Sequence, residues 1–255
     1  VNAARALATF ALASGLLGAN VPHFTPAPSP AATSAPPAVK AAKAAKAAAV
    51  LERYLAALER LPAPQYLSFE YSVEQGGGTN LSQVHRVYRA GSDVRDEVIA
   101  ADGHRLRRPR VRIRHDGADR YALAALAPTP ARYTFTFAGA GKNGEPNAYT
   151  YRTAAKNAAT FTVTEVTLDG TTFLPTVLRF RSTAGKTHGH GTLLYAKFDR
   201  YWLIREARVD ALLDETPAGE RIVWSAYRFP ASLPSATFAD QVEGPSASPK
   251  PAATP

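Results

Sequence analysis

Between residues 66 and 238 the chain runs as short segments in which aromatic and branched side chains alternate with polar ones, a period of two that belongs to β-structure. The first sets Leu67, Phe69, Tyr71 and Val73 against Ser68, Glu70, Ser72 and Glu74, and Gly76, Gly77, Gly78 and Asn80 supply its turn. Strands are predicted at 81–89 and 94–99, separated by Gly91, Ser92 and Asp93 and closed by Asp102 and Gly103. An arginine-rich strand at 107–114 follows, then an Asp116-Gly117 turn. An Ala/Leu stretch at 119–127, ended by Pro128 and Pro130, reads as a short helical lid. Tyr133, Phe135 and Phe137, and then Tyr149 and Tyr151, resume the alternation. Further strands are predicted at 161–168, 174–181, 191–198, 202–210 and 220–229, with Asp169-Gly170 as a hairpin turn. About ten strands in one sheet must curl or close, because flat sheets of that width are uncommon. The expected fold is α+β, mainly β: a curled antiparallel sheet, or incomplete β-barrel, whose apolar face needs a cover.

The cover is predicted just upstream. From Lys40 an alanine-rich stretch with high helix propensity carries Val50, Leu51, Tyr54, Leu55, Leu58 and Leu61 at helical spacing, with Glu52, Arg53, Glu59 and Arg60 opposite. Pro62 and Pro64 stop it. A helix with a single stripe beside a sheet packs on that sheet. The organisation expected is therefore one domain at 40–238, large enough to bury roughly 70% of its unfolded surface, between a Pro/Ala-rich linker at 21–39 and a disordered tail at 239–255. Residues 1–20, with Arg5 ahead of the apolar stretch 6–17, read as an export signal or an anchor. The chain has no Met and starts at Val1, as a bacterial non-ATG start would. It has no Cys, which excludes thiol catalysis, zinc-thiolate and iron-sulfur sites and lipid modification of an N-terminal cysteine.

Motifs that would carry a reaction fail on inspection. Gly139, Gly141 and Gly144 have dinucleotide-loop spacing, but Glu145, Pro146 and Asn147 stand where a helix must start. Gly185-Lys186-Thr187 ends like a phosphate loop, yet Phe180 occupies the place of its first glycine. His188 and His190 would share a strand face, but Gly189 and Gly191 read as a turn and no neighbouring carboxylate completes a metal site. Asp96 and Glu97 point to opposite faces of a strand, and no nucleophile elbow occurs. No enzyme, cofactor or metal is expected.

The formal charge is +9, and its densest part is Arg105, Arg107, Arg108, Arg110, Arg112 and Arg114. Alternation puts Arg108, Arg110, Arg112 and Arg114 on one face, opposite Val111 and Ile113, as a candidate anionic-group site or else a solvated outer face. In an exported protein the partner is expected to be an anionic membrane surface or cell-wall polymer rather than nucleic acid.

The entrance helix leading into Phe69, Tyr71 and Val73 resembles the periplasmic lipoprotein-carrier superfamily, LolA and LolB-like. So do the Val94-Arg95-Asp96-Glu97 strand with its Asp102-Gly103 turn, the Thr167-Leu168-Asp169-Gly170 hairpin and the ending Tyr227-Arg228-Phe229-Pro230. The resemblance covers residues 40–238. It implies an incomplete barrel holding the acyl chain of a lipid or lipoprotein in an apolar cavity, in a monomeric protein of the periplasm or cell envelope. No residue maps onto a handover site. Phe69, Tyr71, Phe135, Phe180, Trp202 and Trp224 are the candidate cavity-lining residues, placed by alternation. The alternative is a non-catalytic envelope interaction or sensory module whose core is filled by its own side chains.

Overall fold

The computed structural model describes residues 37–77, 81–117, 119–141, 147–184, 187–213 and 216–239. The expected signal segment, the linker up to residue 36 and the tail beyond Ala239 lie outside them, as do Gly78, Asn80, Gly144, Gly185 and Lys186. Helix α1 (Pro37–Glu59) begins ahead of the expected Lys40. It closes with Leu61 N–H donating to Leu58 O at 3.2 Å before Pro62 removes the next donor.

Eleven strands follow: β1 (Tyr66–Gly76), β2 (Leu81–Ala90), β3 (Asp93–Ala101), β4 (His104–Arg114), β5 (Tyr133–Ala140), β6 (Tyr149–Ala155), β7 (Phe161–Leu168), β8 (Pro175–Ala184), β9 (Thr187–Phe198), β10 (Tyr201–Leu213) and β11 (Thr216–Arg228). They form one antiparallel sheet in the order β4-β3-β2-β1-β11-β10-β9-β8-β7-β6-β5. Consecutive strands are neighbours except β4 and β5, which form the two free edges, while β1 pairs with β11. The sheet is therefore an open arc and not a closed barrel.

Cross-strand partners share a face, so the register fixes what each face carries. Phe69 opposes Val87, Tyr71 opposes His85 and Trp224, and Val73 opposes Gln83 and Ile222. This is the concave side. Residues 115–132 cross it from β4 to β5, with Leu123 and Leu126 of the single helical turn α2 (Leu123–Leu126) buried on the floor. The expected helix over 119–127 shrinks to this turn. The Asp119 carboxylate accepts the Tyr121 N–H at 3.1 Å, a local bond that diverts the backbone from helix, and one turn alone has no propagation to repay its nucleation. On the convex side a 3-10 turn (Ser235–Phe238) lies on β3, where Arg95 donates to Thr237 O at 3.1 Å.

β9 starts at Thr187, earlier than the expected 191, because Gly189 and Gly191 are strand residues. A Cβ on Gly191 would collide with the backbone carbonyl oxygen of Arg208 and fall 2.7 Å from Phe180 Cζ, so this glycine lets a neighbouring strand and an aromatic ring come close.

Candidate binding site on the concave face

Helix α1 meets the apolar half of the concave face at its β5–β6 end, where Tyr54 reaches Phe135 and Tyr151 reaches Ala47. Phe180 and Trp224 are buried members of one hydrophobic cluster, and Phe69, Tyr71, Phe135 and Trp202 pack against it from partly exposed positions. Phe180 stacks on Phe161 at 4.9 Å, and Tyr121 of the crossing segment meets Trp224 edge-on at the same distance. Trp202 Nε1 donates to Pro175 O at 2.6 Å.

From the helix, Val50 and Tyr54 enter the cluster fully, whereas Leu51, Leu55, Leu58 and Leu61 are only partly buried. Among the described residues, two hydrogen bonds tie α1 to the body: Tyr54 O–H to Pro128 O at 2.7 Å and Tyr151 O–H to Ala47 O at 2.6 Å. Burial pushes both phenols up, Tyr151 to about 12, so they remain neutral donors at neutral pH. Along the edge, Lys43 lies 5.9 Å from the Phe137 ring, Lys46 5.5 Å from Tyr149 and Arg53 5.2 Å from Phe173. These contacts at the rim of α1 are exposed and each is worth about 0.5–1 kcal/mol.

The other half of the concave face is charged. Val94 opposes Arg114, Asp96 opposes Arg112 and Val98 opposes Arg110, which brings three of the four candidate arginines to the concave side. Arg108 falls in the irregular stretch between Arg105 and Arg110, beside Pro109, where no partner fixes its face. Asp96 Oδ2 accepts the Tyr71 hydroxyl at 3.0 Å, and its Oδ1 lies 2.8 Å from His85 Nδ1. Tyr71 and His85 stack at 4.3 Å. Arg89 donates to Gly117 O at 2.7 Å; burial lowers its pKa, and the adjacent Arg114 adds to the effect against Asp119. Gln75 Nε2 donates to Glu220 Oε2 at 2.6 Å, and burial raises the Glu220 carboxyl despite that bond. Tyr121 is pushed up to about 12, first by burial and then by Glu220.

The Tyr71-His85-Asp96 cluster has the composition of a proton relay without its geometry. A relay needs the acid on one imidazole nitrogen and the nucleophile on the other. Here Tyr71 O–H is 2.9 Å from Nδ1, the nitrogen already facing Asp96, while Nε2 lies 3.2 Å from Gln83 Oε1.

Sequence reasoning missed this cluster, together with Tyr54 and Tyr151, because contacts across residues 71, 85 and 96 depend on strand register. The signal available was Tyr54, a hydroxyl inside an otherwise aliphatic stripe. The reading of His188 and His190 also changes: they do share a strand face, but a carboxylate is adjacent, since Asp210 opposes His190 with its Oδ2 3.9 Å from Nε2. All three side chains are exposed, and among the described residues no group of three His, Cys, Asp or Glu is placed to hold a metal ion.

Two hollows are prominent. One, of about 260 Å³, opens where β11 bulges at Ala226 and is lined by Ser68, Glu70, Arg86, Tyr88 and Arg228. The other, of about 230 Å³, lies near α1 between Lys46, Asn147, Tyr149 and Thr171. Beneath the middle of α1 the space is taken by Tyr54, which is 0% exposed and meets Phe135 at 6.3 Å.

Several solved structures are similar to this chain in fold. A LolA superfamily protein of Nitrosomonas europaea is 12% identical, with a TM-score of 0.40 over 75% of this chain and 96% of its own. A DUF1329 family protein of Desulfovibrio piger is 13% identical, with a TM-score of 0.42 over 75% of this chain and 96% of its own. A domain of Vibrio parahaemolyticus named for outer membrane lipoprotein sorting is 14% identical, with a TM-score of 0.44 over 74% of this chain and 95% of its own. At these identities the likeness concerns the fold. No family model and no curated protein matches the chain.

Proposed function

We propose that the protein is a cell-envelope binding or carrier protein that takes up the acyl chain of a lipid or lipoprotein on its concave face, with α1 as a displaceable lid. One observation carries the reading: Leu51, Leu55 and Leu58 of α1 and Phe69, Val73 and Phe135 of the sheet pack against the buried cluster while each keeps part of its apolar surface exposed. Apolar surface left open in this way gains about 25 cal/mol per Å² when a guest covers it. Phe69, Tyr71, Phe135, Phe180, Trp202 and Trp224 are the proposed lining, reached when α1 swings out. That motion has to break two hydrogen bonds and a set of rim contacts and to withdraw the buried side chains of Val50 and Tyr54 from the cluster. Export to the periplasm or envelope belongs to the same proposal, resting on residues 1–20 of the sequence. Among the described residues no helix is long and apolar enough to cross a membrane.

A second reading, a non-catalytic interaction or sensory module with a self-filled core, is favoured by Tyr54 occupying the space beneath α1. Native mass spectrometry after gentle extraction separates the two. Co-purifying lipid, or uptake of a fluorescent fatty acid by the stripped protein, supports the carrier; a bare mass and no uptake sink it in favour of the module.

A further inference from the structure

We propose that the β4 end of the concave face binds the phosphate of an amphiphile's head group, deepening the acyl-binding reading on which it rests. The argument comes from how the two faces treat their arginines. On the convex face five arginines are paired with glutamates, Arg86 with Glu70, Arg95 with Glu97, Arg179 with Glu165, and Arg208 and Arg221 with Glu206, while Arg152 and Arg181 stand exposed and apart from one another. On the concave face Arg110 and Arg112 are exposed and make no ion pair or hydrogen bond with the described residues.

Asp96, the carboxylate directly across from Arg112, is already engaged by Tyr71 on one oxygen and His85 on the other. Arg114, next along the same face, has a buried Nε without a hydrogen-bond partner. A guanidinium N–H withdrawn from water and left unmatched is costly, and the acceptor it lacks is supplied by an anionic oxygen. Three guanidinium forks spaced two residues apart offer donors to several oxygens at once, which suits phosphate.

The charged and apolar halves are continuous, and the boundary passes through one side chain. The Tyr71 ring lies 6.1 Å from Trp224 on the apolar side, while its hydroxyl donates to Asp96 on the charged side. A ligand lying across Tyr71 therefore has an acyl tail toward Trp224 and a phosphate toward Arg112. The arginines select the head group, while the apolar wall takes any tail.

Titration calorimetry on the full chain tests this with three probes: a lysophosphatidylglycerol below its micellar concentration, a monoacylglycerol of the same chain length, and inorganic phosphate. The lysophospholipid is expected to bind roughly tenfold more tightly than the monoacylglycerol, the scale of one charge-assisted contact. The Arg110→Ala/Arg112→Ala variant is expected to bring the two lipids to parity. An Arg152→Ala/Arg181→Ala variant, which removes the same charge from exposed convex positions, keeps the tenfold preference. Equal affinity for both lipids in the unsubstituted protein, or a preference that survives the β4 substitutions, overturns the head-group site and leaves the acyl reading standing. Failure to bind either lipid overturns the acyl reading itself. Inorganic phosphate binding as tightly as the lysophospholipid overturns the amphiphile in favour of a free-anion site.

Discussion

Glu220 is drawn into the sheet beside Gln75, and the loss of water around it opposes its charge more than the single Gln75 hydrogen bond supports it, so the folded carboxyl titrates above its ordinary 4.5. The unfolded chain then releases this proton first as pH rises. Stability from this group is greatest below the unfolded value, falls as pH climbs through the window up to the folded value, and stays reduced at neutrality. Glu220→Gln is expected to raise the urea midpoint at pH 7, with the gain vanishing below about pH 4; a midpoint unchanged or lowered at pH 7 contradicts this. Gly191 acts through space instead of charge. Gly191→Ala drives a methyl into the Arg208 carbonyl oxygen and the Phe180 ring and is expected to cost at least about 1–3 kcal/mol in the same assay.

Among elements, α1 has the least polar attachment for its length. Tyr54→Phe and Tyr151→Phe each delete one clamp and keep the packing, so each is expected to cost about 1 kcal/mol and to speed hydrogen exchange in α1 relative to β7–β10. If the lid proposal holds, both also speed uptake of a fluorescent fatty acid in stopped flow; an unchanged rate counts against lid opening as the gate. Tyr54→Ala leaves a cavity and is expected to cost about 3–5 kcal/mol. At this scale much was legible in the sequence. Strand β7 was predicted at 161–168 and is observed there, because Phe161 and Val163, and after a bulge Val166 and Leu168, are separated by threonines between clear turns. The start of β9 was hidden because glycines that relieve a clash look like glycines that make a turn. The helix over 119–127 was overread because Asp119's bond to the Tyr121 amide outweighs the propensity of the alanines.

For the whole molecule, alternation and turn spacing were enough to give a wide, curled antiparallel sheet with a helix on one face. They did not say whether it closes, nor which face Arg108 takes, since β1 pairs with β11 while β4 and β5 are left unpaired, and a bulge shifts a face by a single residue. Both tryptophans of the chain, Trp202 and Trp224, belong to the apolar half. A brominated fatty acid is therefore expected to quench most of the tryptophan emission, and Trp224→Phe to lose the larger share of that quenching; emission indifferent to the brominated chain places any bound lipid elsewhere.

The two rims of the arc are successive in the chain, and the segment that joins them is packed along the concave floor. Widening the gap has to lift Tyr121 from Trp224 and draw Pro128 away from Tyr54, so that spreading the arc and freeing the lid become one movement, driven from either side.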